Sequence, residues 1–276
     1  MKTLILLSAL LVVATASVAR SPAVRIKDLL PGSRIVGGSP AHEGEFHYQV
    51  GLSYYNDYGT WWCGGSIIHA KWILTAAHCS EGATGVYVVA GTVNADPNEY
   101  DPSAQIRSVT NPNKIYINDD YNPANLNNDI SLIELETPLN LDYYVWTVPL
   151  PNRSEANDFY EGQKVIASGW GKTGDYSPSP NKLRFADMYI MNHQKCKDYY
   201  IAGTVTDGVI CTDTESGTRS TCQGDSGGPL VLAVNKQLIG VVSFVSTAGC
   251  ESGGPDGFTR VVQYLDWIKA ITGMNV

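Results

Sequence analysis

The length and spacing of the apolar segments constrain this chain's fold more than any other feature. From Phe46 onward the segments are short, and several alternate with polar residues. The first run from Tyr48 to Ser53, Gly65 to Leu74, Val86 to Val93, Ile106 to Val109 and Ser131 to Leu135. Lys164 to Ser168, Arg184 to Ile190, Pro229 to Val234 and Gln237 to Phe244 follow. Clusters of Gly, Asn, Asp and Pro lie between them, and short runs punctuated in this way predict an all-β barrel or sandwich. Helical periodicity enters at the end of the chain. There Val261, Val262, Leu265, Ile268 and Ile271 recur at steps of three and four, predicting a terminal amphipathic helix. The 276 residues make one large all-β unit or two small domains.

The first residues have a different character. Met1-Lys2-Thr3, the apolar run Leu4 to Val13 and the small residues up to Ala19 form the pattern of a secretory signal peptide, assigned to residues 1–19. The run is too short to span a bilayer, and no later run is long enough to anchor the chain. An oxidising destination makes the six cysteines disulfide candidates, with fifteen pairings open. No C-x-x-C pattern argues for zinc, and the carboxylates between Glu81 and Glu99 do not form a calcium loop. Neither a metal nor a cofactor is expected. Asn152-Arg153-Ser154 is an N-glycosylation sequon in a polar loop.

Residues 20–34 are polar, basic and without periodicity, and the character changes abruptly at Arg34-Ile35-Val36-Gly37-Gly38. Cleavage after Arg34 would place an ammonium group on an apolar residue, Ile35. Buried in an apolar pocket, that group needs a carboxylate partner, and Asp225 is available. Asp225 belongs to Thr221-Cys222-Gln223-Gly224-Asp225-Ser226-Gly227-Gly228-Pro229. A serine hydroxyl there needs a base to take its proton and donors to hold an oxyanion. Glycines beside it let the Gly224 and Ser226 N–H groups face one carbonyl oxygen. His78 closes the strand-like Leu74-Thr75-Ala76-Ala77, tethered by Cys79, and Asp129 heads the apolar run Ile130-Ser131-Leu132. A buried carboxylate needs hydrogen-bond donors, and an imidazole N–H is suitable.

These motifs, in the order His, Asp, Ser, resemble the chymotrypsin-like serine peptidases. The similarity spans residues 35–276, taken as the peptidase domain, with 20–34 as an activation propeptide. It implies two six-stranded antiparallel β-barrels with the active site between them. By this resemblance Ser226 is the nucleophile, His78 the general base and then acid, and Asp129 the group that fixes the imidazole. Gly224 and Ser226 form the oxyanion hole. The family pattern pairs Cys63 with Cys79, Cys196 with Cys211, and Cys222 with Cys250. Ser243 supports the buried Asp and begins the segment that pairs with substrate.

Ser220, six residues before the nucleophile, stands at the floor of the primary pocket, where trypsin-like members carry Asp. A neutral serine favours apolar side chains. Val245 stands where chymotrypsin and trypsin have glycine, an elastase-like feature that hinders large rings. Asp256, at another glycine position, offers charge to a basic side chain. The run Ala248 to Arg260 looks most like the brachyurin-type serine collagenases of arthropods, which lack the valine. The expected enzyme is a digestive endopeptidase cutting after apolar residues of medium size, and Asp256 offers an alternative preference for Arg and Lys. A cascade protease is less economical, because such enzymes carry long N-terminal modules. A non-catalytic homologue would be expected to lack a triad member.

Residues 1–34 carry five basic and one acidic side chain, so their removal takes the net charge from −8 to −12. That argues against nucleic acid as a ligand. The partners expected are polypeptide substrates, an activating trypsin-like protease and protein protease inhibitors, around a secreted monomer with no membrane association.

Overall fold

The computed structural model describes residues 21, 23–25, 35–96, 101–177 and 179–276. The signal-peptide assignment and most of 20–34, Arg34 included, lie outside the described residues, as does Glu99. The N-terminal strands are β1 Ala23–Arg25, β2 Ser39–Pro40, β3 Gln49–Asn56, β4 Gly59–His69 and β5 Trp72–Thr75. Next come β6 Gly85–Ala90, β7 Gln105–Val109, β8 Ile115–Ile117, β9 Ser131–Glu134 and β10 Lys164–Gly169. The last are β11 Arg184–Ile190, β12 Val209–Asp213, β13 Pro229–Leu232, β14 Leu238–Ser246 and β15 Asp256–Arg260. The α-helices are α1 Ala77–Ser80, α2 His193–Tyr199 and α3 Leu265–Thr272.

Two antiparallel, barrel-like sheets divide these strands. The first has seven, in the order β7-β6-β3-β4-β5-β9-β8. In the second, β10 to β15 close into a ring of six through the β14–β15 pairing, while β1 joins the edge of β14 and β2 joins β11. The six strands expected for each barrel are thus met in the second ring. In the first, β8 adds a seventh strand of three half-buried residues, which presents no alternation to read.

Other elements also depart from the sequence pattern. The single run Gly65 to Leu74 is two strands, with β4 turning into β5 after His69. β12 and β15 were not visible as strands. Pro255-Asp256-Gly257 has the composition of a turn, yet β15 is wholly buried between β12 and β14. Here tertiary pairing overrides local propensity. Gly257 is required by packing, because a Cβ there would sit 2.2 Å from the Phe244 ring.

A large buried cluster joins the sheets. Val50, Leu52, Ile67 and Leu74 of the first share it with Ile166, Val231, Leu238 and Val241 of the second. The apolar positions of the C-terminal pattern fall on a 3-10 turn, Val261–Tyr264, and then on α3, whose Leu265 and Ile268 are buried. Gly273 stops α3 in the left-handed conformation (φ 72°), and its N–H donates to Lys269 O at 2.9 Å. Among the described residues no helix is long and apolar enough to cross a membrane.

Candidate active site

Three side chains that are distant in sequence meet between the two sheets. His78 sits on α1, and four contacts hold this short helix in place. The Cys63–Cys79 disulfide ties it to β4. The Trp61 indole N–H donates to Cys79 O at 2.8 Å. Ser80 Oγ lies 3.0 Å from the Tyr54 hydroxyl and 2.7 Å from Ser131 Oγ. With its neighbours fixed, the imidazole has little freedom of position.

Asp129 precedes β9 and is fully buried. Its Oδ1 accepts the His78 backbone N–H at 2.8 Å, and its Oδ2 accepts the Ser243 hydroxyl at 2.6 Å. Oδ2 also lies 2.7 Å from His78 Nδ1. A carboxylate only accepts, so Nδ1 carries the ring proton and Nε2 is left as an acceptor. Ser226 Oγ lies 2.9 Å from that Nε2. The contacts therefore form one unbroken chain from carboxylate to imidazole to hydroxyl, able to move a proton from Ser226 to His78.

The backbone around Ser226 is held just as firmly. Ser226 O accepts the Gly64 N–H of β4 at 2.7 Å, and the Gly227 N–H donates to Val242 O at 2.8 Å. Gly224 takes φ 90°, a left-handed conformation that favours glycine. Among the described residues neither the Gly224 nor the Ser226 N–H donates a hydrogen bond, so both are free to receive an oxyanion.

Asp225 points away from the hydroxyl, into the second sheet. Its carboxylate accepts the Gly171 N–H at 2.8 Å and the Cys222 N–H at 2.9 Å. Burial pushes its pKa up to about 8, against those two hydrogen bonds, and the charge of Asp256 adds to the rise. Ile35 is fully buried, and the neighbouring Val36 N–H donates to Ser220 O at 2.8 Å.

Ser220 and Asp256 are brought together, both fully buried. Asp256 accepts the Ser220 hydroxyl at 2.8 Å, the Thr221 hydroxyl at 2.9 Å and the Thr221 N–H at 2.5 Å. Burial nevertheless lifts Asp256 to about 7, outweighing the three donors that favour its charged form. Val245 is 1% exposed and shares an apolar cluster with Cys222 and Cys250, which are bridged. The remaining bridge joins Cys196 to Cys211 beneath α2. Among the described residues two His, Cys and Asp groups have metal-like spacing, but each counts two sulfurs of one disulfide and so offers no thiolate.

Several supports escaped the sequence reading. Thr259 Oγ1 donates to Asp129 O at 2.7 Å, and the Tyr264 hydroxyl donates to Asn128 Oδ1 at 3.0 Å. Thr221 supplies two of the three donors on Asp256. Thr and Tyr are ordinary strand residues, and nothing in their spacing marks these. Gly169 and Gly171 also went unread; a Cβ on either would sit 2.1 or 2.2 Å from the Asp225 side chain, so both glycines are required by its approach.

Comparison with known proteins agrees with this geometry. The family model described as Trypsin matches residues 35–268. Serine protease 1 of Drosophila melanogaster is 43% identical over 253 residues, covering 91% of this chain and 89% of that protein. Collagenase of Hypoderma lineatum is 40% identical over 265 residues, 96% of each chain. Brachyurin of Leptuca pugilator is 40% identical over 242 residues, 87% of this chain and 100% of the relative. A solved structure of HL collagenase superposes with a TM-score of 0.80 at 37% identity, covering 88% of this chain and 100% of the other. With its two antiparallel barrels, and with relatives of this similarity along almost its whole length, the chain belongs to the trypsin family of chymotrypsin-like serine proteases, hydrolases that act on polypeptides.

Proposed function

We propose that this protein is a secreted endopeptidase made as a latent precursor, with residues 1–19 a signal peptide, 20–34 an activation segment and 35–276 the peptidase domain. The observation that carries the reading is the 2.7 Å and 2.9 Å contact chain from Asp129 through His78 to Ser226. Ser226 attacks the scissile carbonyl, His78 takes its proton and later returns it to the leaving amine, and Asp129 stabilises the imidazolium. The Gly224 and Ser226 N–H groups hold the oxyanion. Cleavage after Arg34 frees the Ile35 ammonium to pair with Asp225. A trypsin-like protease would make that cut, protein inhibitors would control the product, and the mature enzyme would act as a digestive monomer.

For the primary pocket the reading is a preference for apolar residues of medium size, such as Leu and Met. Two observations support it: buried Val245 beside the Cys222–Cys250 bridge, and an Asp256 already engaged by three donors. Val245→Gly should open the pocket mouth and raise kcat/KM for Phe and Tyr relative to Leu by about tenfold or more, the scale of methylene-sized discrimination. Steady-state kinetics on matched peptides measure it, and an unchanged ratio would remove Val245 from the pocket.

The second reading, cleavage after Arg and Lys, rests on the same Asp256. Its pKa near 7 makes the two readings separable by pH. The carboxyl is mostly neutral below that value and mostly ionised above it, and only the ionised form attracts a basic side chain. The ratio of kcat/KM for a Lys substrate to that for a Leu substrate should therefore climb between about pH 6 and about pH 8. Any pH effect common to the two substrates cancels in the ratio. The overall test is a cleavage-site profile of the enzyme activated at Arg34. Cuts after Leu, Met and Ala support the apolar reading, and cuts dominated by Arg and Lys at neutral pH overturn it.

A further inference from the structure

The edge of β14 already carries a strand. Ala23, Val24 and Arg25 of β1 pair antiparallel with Ser246, Val245 and Phe244, so the chain of β1 advances toward Ser243. Ser243 is the residue whose hydroxyl donates to Asp129, which places β1 immediately beside the triad. A second grip lies upstream. The Ser21 N–H donates to Tyr199 O at 2.8 Å, and the Ile201 N–H donates to Ser21 O at 3.0 Å. Ala23 packs against the apolar cluster that holds Tyr200, Phe244 and the Cys196–Cys211 sulfurs.

This edge is a place where an added strand gains most. β13 pairs with β14 only as far as Val241, so residues 244–246 have no β13 neighbour on that side. Without β1 the edge would present backbone donors and acceptors ready to take up an extended peptide. On the proposed assignment, Ser243 starts the segment along which substrate lies.

We infer that residues 21–25 form a peptide ligand of the substrate cleft, so that the activation segment, once severed after Arg34, inhibits the mature enzyme by occupying the backbone edge that substrate needs. The inference rests on reading His78, Asp129 and Ser226 as the catalytic centre and residues 20–34 as the activation segment. Two further facts set the character of the interaction. Residues 20–34 contain no cysteine, so nothing covalent retains them after the cut. They carry four basic side chains and one acidic, a net charge of +3 against −12 for residues 35–276, which steers the segment toward the enzyme and makes its capture sensitive to salt. Full activity then requires two events, cleavage and departure of the leader.

The test uses a synthetic peptide of residues 20–34 and the wild-type enzyme cleaved after Arg34 and freed of its leader. The peptide should raise the apparent KM of a chromogenic peptide substrate and leave kcat unchanged. A V24P/R25P peptide lacks both neighbouring N–H donors, so one or more ladder hydrogen bonds are lost whichever of the two residues faces β14. It should inhibit at least about tenfold more weakly. Raising salt from about 50 mM to about 500 mM should weaken the parent peptide. Absence of inhibition at about 1 mM peptide, inhibition through kcat alone, or equal inhibition by V24P/R25P would each overturn the inference. Binding of the labelled peptide to the cleaved S226A protein, followed by fluorescence anisotropy, reads docking without turnover. If the cleaved wild type hydrolyses nothing while S226A still binds the parent peptide and not V24P/R25P, the catalytic reading fails and the docking site stands.

Discussion

Ser226→Ala should lower kcat by about a million-fold while leaving the fold intact. Among the described residues the hydroxyl makes one hydrogen bond, at 2.9 Å to His78 Nε2, and removing it deletes the nucleophile without opening a cavity larger than one oxygen atom. The two free N–H groups at Gly224 and Ser226 remain, so turnover should stay roughly 10³–10⁴-fold above the uncatalysed reaction. His78→Ala should cost about as much, and the double variant hardly more, because the two side chains perform one proton transfer. Single-turnover kinetics on a peptide ester, with thermal melts to confirm folding, measure all three. Near-normal turnover in Ser226→Ala, or additive losses in the double variant, would be incompatible with the mechanism.

Asp225→Asn should give a protein that is cut after Arg34 and yet stays latent. In the uncleaved chain, burial pushes this carboxyl up to about 8, against the Gly171 and Cys222 amides that favour its charged form. On the proposed activation, the ammonium created on Ile35 would supply the missing opposite charge and pull that pKa down. An amide keeps the shape and removes the charge, leaving the ammonium without a counter-ion. The loss of one member of a buried pair costs about 3–5 kcal/mol, so the active population and kcat/KM should fall by about 10²–10⁴-fold. N-terminal sequencing would verify that Ile35 is the new terminus. Full activity in such a cleaved variant would show that Asp225 is not the partner of Ile35.

The sequence disclosed the class of fold and the chemistry of the site to different depths. Strands with one solvated face, such as β11, alternate visibly, and β11 was legible to the residue. β15 was hidden because it is buried on both faces and opens with turn-forming residues, so only its pairing with β12 and β14 makes it a strand. The short α2 was missed for a related reason, since a single buried residue, Cys196, leaves no periodic stripe. His78, Asp129 and Ser226 were legible because small residues, a tethering cysteine and glycines surround them. The groups that orient them were not. Gly64, Thr259 and Tyr264 act through one backbone or hydroxyl contact each, and such contacts leave no pattern along a chain. The strand at Ala23–Arg25 was unreadable for the opposite reason: a segment without periodicity takes its shape from the edge it lies on.

Gly64 N–H to Ser226 O, at 2.7 Å, and Ser243 Oγ to Asp129, at 2.6 Å, each cross from one sheet to the other. His78 and Asp129 come from the first sheet and Ser226 from the second, so neither half owns a working site. Turnover is therefore a gauge of how well two bodies are docked. Heat, denaturant or a distant core substitution that slides one barrel a fraction of an ångström against the other would silence the enzyme while every strand still gave its native spectrum.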